Sequence, residues 1–434
     1  MKIVRKFAIG LIIIFLLMIW SGIVRHVTLG QRTFGSLTEP VKKFSELPSD
    51  MKAAYNFIFL APDYYLKTKD ADKETINKLS YDLYGSYAYR NGDAFKIELK
   101  NFKNDELIKT WDLPVEYLSK HHEVGTNDRL YPSKLMENRG VIVSCDERPG
   151  LIRLDSASNV VWHNKDFIFH HAVNFDAKGN AWICGAKHKN GSVAPSTVSV
   201  DGKKINYRDD LIVNVDAKTG KTLYSKSLTE LFKENNLSEL INRASVVEDP
   251  FHLNDVEPVV LQDSTYFNTG DVFMSFRHLS AIIQYRPSTE KVIKVIEGPF
   301  TYQHDVDILS PNTIALFNNN GLVKDNSNYE NYDTYPKTNV QREIINSNIL
   351  VYNFEEDTYN ALYEKAFIDN KIYTGAEGLY DLLPNGDLFV EEQNSGILWV
   401  LNENGVVLKT TLKSDIEGYH YLPNWTSIYT NINF

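Results

Sequence analysis

The sequence has no basic run. Its 46 Lys and Arg are outnumbered by 56 Asp and Glu, which leaves a formal charge of -10 and a pI near 5.6. Without a basic footprint to neutralise phosphates, nucleic acid is excluded as a partner. Cysteine is nearly absent: Cys145 and Cys184 are the only two, so at most one disulfide can form. An oxidising compartment would permit that bridge, and two buried thiols are the equal alternative. Also missing is a small-residue cleavage pattern behind the one long apolar run, residues 7–24, where Trp20, Ser21, Gly22, Ile23 and Val24 give a poor processing site.

That run carries no charge over 18 residues and follows Lys2, Arg5 and Lys6. It is just long enough to cross about 30 Å of hydrocarbon as a helix. The expectation is an uncleaved anchor over residues 1–24, with export after cleavage as the alternative. The basic flank keeps the N-terminus inside and places the rest of the chain on the extracytoplasmic side. Residues 25–80, with Pro40, Pro48 and Pro62, read as a stalk or linker.

From about residue 81 to 434 the text becomes short strands and turns, and 25 Tyr with 22 Phe suit strands better than helices. One phrase recurs every 40 to 60 residues or so, the period of propeller blades. Its first half runs HAVNFDAKGNAWI from His171, HDVDILSPNTIALF from His304 and GLYDLLPNGDLFV from Gly378. Its second half is a β-hairpin: LIRLDSASNVVW from Leu151, LIVNVDAKTGKTLY from Leu211, IIQYRPSTEKVIKV from Ile282, ILVYNFEEDTYNAL from Ile349 and LWVLNENGVVLKT from Leu398. Pairing the halves predicts blades near 129–165, 168–226, 250–297, 303–367 and 374–412. An earlier hairpin over 94–113 brings the number to six. The fold class is therefore all-β, a six-bladed β-propeller behind an N-terminal transmembrane helix and short stalk. The last residues, 419–434, are either a closing strand or an exposed tail.

Histidine follows the repeat. His171 and His304 open equivalent strands and His252 opens a third, so three imidazoles are expected at one end of a central channel. Arg277, at the end of an apolar strand in the His252 repeat, offers a planar fork to an oxyanion. Asn254 lies two residues from His252, on the same face of an extended strand. By the same alternation Asp305 and His278 are expected to point away from their neighbours His304 and Arg277. His121, His122, His163, His188 and His420 fall outside the repeat and read as surface or packing residues. Either of His170 and His171 can face the channel; alignment with Gln303 and His304 favours His171.

These phrases resemble the arylsulfotransferase family, bacterial β-propeller enzymes that move a sulfuryl group between phenols. The resemblance rests on the His170-His171 pair, His252-Leu253-Asn254, Ser275-Phe276-Arg277 with Leu279-Ser280, and Gln303-His304-Asp305. It is strongest over 165–320, extends over 130–410, and is not found before about residue 115. It implies His304 as a nucleophile that becomes a sulfohistidine, and Arg277, Asn254 and His171 as groups holding the sulfuryl oxygens. It further implies His252 as proton carrier, an aryl sulfate donor, a phenolic or hydroxyl acceptor, and no cofactor. The short segment between Arg277 and His304 departs from the family's larger members and leaves the substrate mouth differently covered.

Two other classes fit the same residues. A non-catalytic propeller would use the pocket only to hold an anion. A metal enzyme would use the imidazoles as ligands; Arg277 weighs against a divalent ion, and no metal is expected.

Overall fold

The computed structural model describes residues 2–28, 34–38, 40–41, 43–45, 51, 65–91, 94–113, 130–145, 148–189, 191–200, 203–321 and 346–432. His121 and His122 lie outside them. Two compact units are present, Met1–Asp63 and Tyr64–Phe434.

The first unit is dominated by a helix, Lys2–Thr28. Its 27 residues span about 40 Å at 1.5 Å per residue. Within it Gly10–Val27 has a mean hydropathy of 2.0, apolar and long enough to cross a membrane. The apolar character runs all round the helix, as suits a segment with no water-facing side.

The second unit is all-β. A seven-stranded antiparallel sheet comprises Leu130–Met136, Gly140–Cys145, Pro149–Leu154, Val160–Phe175, Ala181–Ala186, Asp210–Val215 and Thr222–Ser227. The 16-residue strand Val160–Phe175 pairs with Pro149–Leu154 through its first part and with Ala181–Ala186 through its second. It thus joins two of the expected repeats. Two four-stranded sheets follow: Leu253–Pro258, Val272–Phe276, Ala281–Arg286 and Lys291–Ile296; then His304–Ser310, Thr313–Asn318, Asn348–Asn353 and Thr358–Leu362. Leu379–Leu382, Leu388–Glu392, Ile397–Asn402 and Gly405–Lys413 form the next, extended by Tyr419–Tyr421 and by two early strands, Tyr65–Lys67 and Ile76–Asn77. The expected stalk therefore contributes strands to a sheet near the other end of the chain.

The last sheet contains Tyr84–Asn91, Ala94–Asn101 and Glu106–Leu113, with Asn424–Tyr429 paired to Tyr84–Asn91. Of the two readings of the C-terminus, the structure has the strand.

Local chemistry explains the hairpins. The Asp155 carboxylate accepts from the backbone of Ala157 and Asn159, Asp176 from Lys178 and Asn180, and Asp216 from Lys218 and Thr219. Such side-chain mimicry of a turn closes a hairpin without glycine in left-handed geometry at every tip. The strands then alternate, and the buried faces meet between consecutive sheets. Phe232, Phe251 and Phe276 pack edge to face at 5.1 and 5.4 Å centroid separation. They share one core with Trp182, Cys184 and Ile212 of the preceding sheet. Cys145 sits in a different core with Trp111 and Val143, so the two cysteines are separate buried thiols rather than a disulfide. This sheet-on-sheet burial, repeated along the chain, is a propeller-like arrangement.

Candidate functional site

The site gathers where His304 opens its strand, His252 precedes Leu253–Pro258, and His171 lies in the second part of Val160–Phe175. There the backbone repeats a local device: a register shift beside a non-glycine residue in the left-handed region. His171 (φ 60), Asp305 (φ 50) and Trp425 (φ 53) adopt it, and the pairing slips beside each; His252 (φ 43) is left-handed just before its strand, where the slip falls at Asn254. A bulge of this kind costs about 1 kcal/mol or more and re-aims the neighbouring side chain.

One ring nitrogen each of His171, His252 and His304 lies within 4.8 Å of the others. The rings of His171 and His252 meet edge to face at 5.5 Å, and those of His171 and His304 are 6.3 Å apart. The structure thus brings the three histidines together, although by different routes. The Asp255 carboxylate accepts from Val306 N and the Asp305 carboxylate from Tyr380 N, the same contact made from successive sheets. Asp255 is therefore the counterpart of Asp305, and Asn254, not His252, is the counterpart of His304. His252 enters from two residues earlier because its left-handed backbone turns it inward.

Each imidazole has its Nδ1 occupied. His304 Nδ1 faces two acceptors, Asn319 Oδ1 at 2.8 Å and the Tyr302 carbonyl at 3.1 Å. Asn319 is itself fixed, its amide donating to the carbonyls of Thr374 and Glu377. Nδ1 of His304 therefore carries the proton, and Nε2, buried and without a hydrogen-bond partner, holds the lone pair. His252 Nδ1 donates to Asp249 Oδ2 at 2.5 Å. His171 Nδ1 is 2.7 Å from Nδ1 of His170, whose Nε2 lies 3.5 Å from Asp210. One of the two Nδ1 atoms donates to the other, and His170 Nε2 makes no hydrogen bond of its own.

Burial keeps all three neutral. It pushes His304 down to about 3, with the Arg277 charge as the next cause. Burial likewise holds His171 and His252 well below the usual imidazole range, reinforced by the neighbouring histidines and, for His252, by Arg277.

Arg277 is 7% exposed and its guanidinium lies over the Tyr302 ring, 4.5 Å from the centroid. Nη1 is 2.6 Å from His278 Nε2, while Nε is buried without a partner. His278 is therefore part of this group, against expectation. The strand ends at Phe276 and a turn follows, so alternation no longer sets the direction of its side chain. Its Nδ1 donates to the Asp249 carbonyl, and its ring packs 4.5 Å from that of His252. Asn254 is fully buried; its amide donates to the Gln303 carbonyl at 2.7 Å, immediately before His304.

Sequence reasoning missed Asp249, Asn319, Tyr302 and the aromatic wall of Tyr131 and Trp425, whose rings lie 5.8 and 5.1 Å from that of His171. Asp249, Asn319 and Tyr302 lie outside the strand repeats, and Trp425 shares the left-handed backbone of the repeated device but not its sequence. Further along the same first strands, Glu257, Asp307 and Asp381 interact electrostatically with Lys134. Burial raises Asp307 to about 6 and Asp381 to about 7, and lifts Glu257 well above the carboxylate range.

An all-β protein of propeller-like build, with a buried guanidinium among neutral imidazoles, is suited to binding and reacting with an anion. The family described as arylsulfotransferase (ASST) matches residues 133–412. The chain belongs to the arylsulfotransferase family, and its function is of the sulfotransferase type. No curated protein matches it. Among solved structures, a protein of unknown function from Bacteroides caccae is similar at 10% identity and a TM-score of 0.49, covering 80% of this chain and 99% of that one. The Dos1 propeller is similar at 10% identity and a TM-score of 0.37, covering 81% and 76%. A catalytically inactive virginiamycin B lyase from Staphylococcus aureus with quinupristin gives 9% identity and 0.37, covering 80% and 89%.

Proposed function

We propose that this chain transfers a sulfuryl group from an aryl sulfate ester to a phenolic or hydroxyl acceptor through a sulfohistidine at His304. The observation that carries this reading is the His304 ring itself: Nδ1 is pinned by Asn319 and Tyr302, and Nε2 is an unpartnered lone pair in a buried cluster that includes Arg277. In the first step Nε2 attacks sulfur, the N–S bond forms, and the S–O bond to the aryl group breaks. The phenolate leaves as the anion and takes its proton from solvent, to which His252, neutral with a lone pair on Nε2, returns the proton it accepts in the second step. In the second step the acceptor hydroxyl gives a proton to His252 as its oxygen attacks the same sulfur and His304 is released.

Arg277 holds the sulfuryl oxygens with a permanent charge, and His171 offers them its Nε2–H when His170 is the donor across the Nδ1–Nδ1 contact. Asn254 serves this site by securing the Gln303 carbonyl as well as through any contact with the anion. Tyr131 and Trp425 supply flat apolar surface for an aryl ring. The sheets would close as six blades, Asn424–Tyr429 completing the first, and the Lys2–Thr28 helix would anchor the enzyme with its β unit outside the cytoplasm.

The test is kinetic. Full-length protein in detergent, given p-nitrophenyl sulfate and a phenol, should release p-nitrophenol and give parallel double-reciprocal lines as the two substrates are varied. Intersecting lines would exclude a covalent intermediate, and no turnover with several aryl sulfates would leave only anion binding.

Asp249 is expected to act through His252, because its carboxylate fixes the Nδ1 proton and steadies the imidazolium that forms on Nε2. Asp249→Asn should slow turnover by about 10²-fold, within the range of general acid–base effects. The loss should grow as the acceptor hydroxyl becomes less acidic, whereas a merely structural defect would slow all acceptors alike.

A further inference from the structure

We propose that His171, His252 and His304 also form a site for a single divalent transition-metal ion of the Zn²⁺ type, whose binding competes with sulfuryl transfer. The proposal rests on ligand geometry and holds whether or not the transfer reading does; only the competition depends on that reading.

Three ring nitrogens already lie within 4.8 Å of one another. Tetrahedral Zn²⁺ with bonds of about 2.0 Å needs them about 3.3 Å apart, so closure asks for movements of about 1 Å. The donors are of the right kind, since imidazole nitrogen suits zinc, copper and nickel better than magnesium or calcium. More telling is what stands behind each ring. A metal-bound histidine almost always donates its second N–H to a carboxylate, carbonyl or similar acceptor, which fixes the tautomer and directs the other lone pair at the ion. Two rings have that support directly, Asp249 Oδ2 behind His252 and Asn319 Oδ1 with the Tyr302 carbonyl behind His304, while His171 Nδ1 meets His170 Nδ1, which accepts from it in one of two tautomers.

The Nε2 of His304 is buried with no partner of its own, a polar atom aimed into the cluster. Three protein ligands leave the fourth position open to water or an anion. Arg277 opposes the ion electrostatically, and Asp249, bonded to His252, supplies compensating negative charge. An ion seated here takes the same Nε2 lone pair that would attack sulfur.

The experiment titrates metal-stripped full-length protein in detergent with Zn²⁺ by calorimetry, and with Co²⁺ by absorption. The expected results are one ion per chain and the intense visible bands of four-coordinate Co²⁺. His304→Gln and His252→Gln should each weaken Zn²⁺ binding by more than about 10-fold, Asp249→Asn by about 10- to 100-fold, and Arg277→Gln should tighten it. Variants that do not keep the wild-type circular dichroism spectrum are replaced by the single substitution His171→Gln, which carries the same expectation. Substoichiometric binding, octahedral Co²⁺ bands, or affinity indifferent to these substitutions would overturn the site. With p-nitrophenyl sulfate, Zn²⁺ should abolish release of p-nitrophenol and a chelator should restore it. Full turnover by the Zn²⁺-loaded protein would overturn the competition. Absence of turnover in the metal-free protein as well would count against the transfer reading while the binding data decide the metal site.

Discussion

His304→Ala is expected to lower sulfuryl transfer by at least about 10³-fold, the scale on which enzymes lose rate when a covalent nucleophile is removed. The protein should fold normally and still bind aryl sulfate. Mass spectrometry of wild-type enzyme quenched with excess donor should find one sulfated peptide containing His304, and the variant should show none. Turnover that survives the substitution would rule out the covalent route. The wild-type rate should also lack an acid limb near the ordinary imidazole pKa. Burial, then the charge of Arg277, lowers His304 to about 3, so its neutral nucleophilic form predominates above that pH. A loss of kcat centred near 6.5 and removed by His304→Ala would contradict this.

The second large effect is at Arg277. Replacement by Gln removes the permanent cation from the buried cluster, and a drop in kcat/KM of about 10²- to 10³-fold is expected, the range for losing a fixed donor to a developing anion. Lys should not rescue it. The guanidinium lies flat over Tyr302 while Nη1 meets His278, and an ammonium can reproduce neither the stacking nor the fork. The pH dependence should move too, because Arg277 is among the charges that depress His252 and His304. Without it both pKa values rise. Full activity in Arg277→Lys would mean that charge alone matters at this position.

The sheets were legible in the sequence because each hairpin is a local event: an Asp or Asn turn between two alternating strands, repeated often enough to be aligned. The histidines were legible because His171 and His304 align in the sequence repeat, although in the ladders His170 takes the place of His304 and His171 that of the left-handed Asp305. What failed was reasoning by strand alternation where the strand had ended. His278 follows a turn, and its direction is set by the Asp249 carbonyl and Arg277. Asn254 holds a counterpart position that the spacing assigned to His252, because a left-handed residue and a register slip intervene. Groups that steady the site, Asp249 and Asn319, lie in connections whose course depends on tertiary contacts, and no period announces them. The early strands Tyr65–Lys67 and Ile76–Asn77 escaped because two or three residues carry too little pattern to distinguish a strand from a linker.

The pairing of Asn424–Tyr429 with Tyr84–Asn91 has a temporal consequence. That sheet joins residues about 340 positions apart, and Trp425, against the ring of His171, belongs to its last strand. The contact therefore forms only after residues 424–429 have been made, long after the sheets that supply the three histidines. Removal of residues 424–429 would leave most of the sheets intact and the pocket without its Trp425 wall.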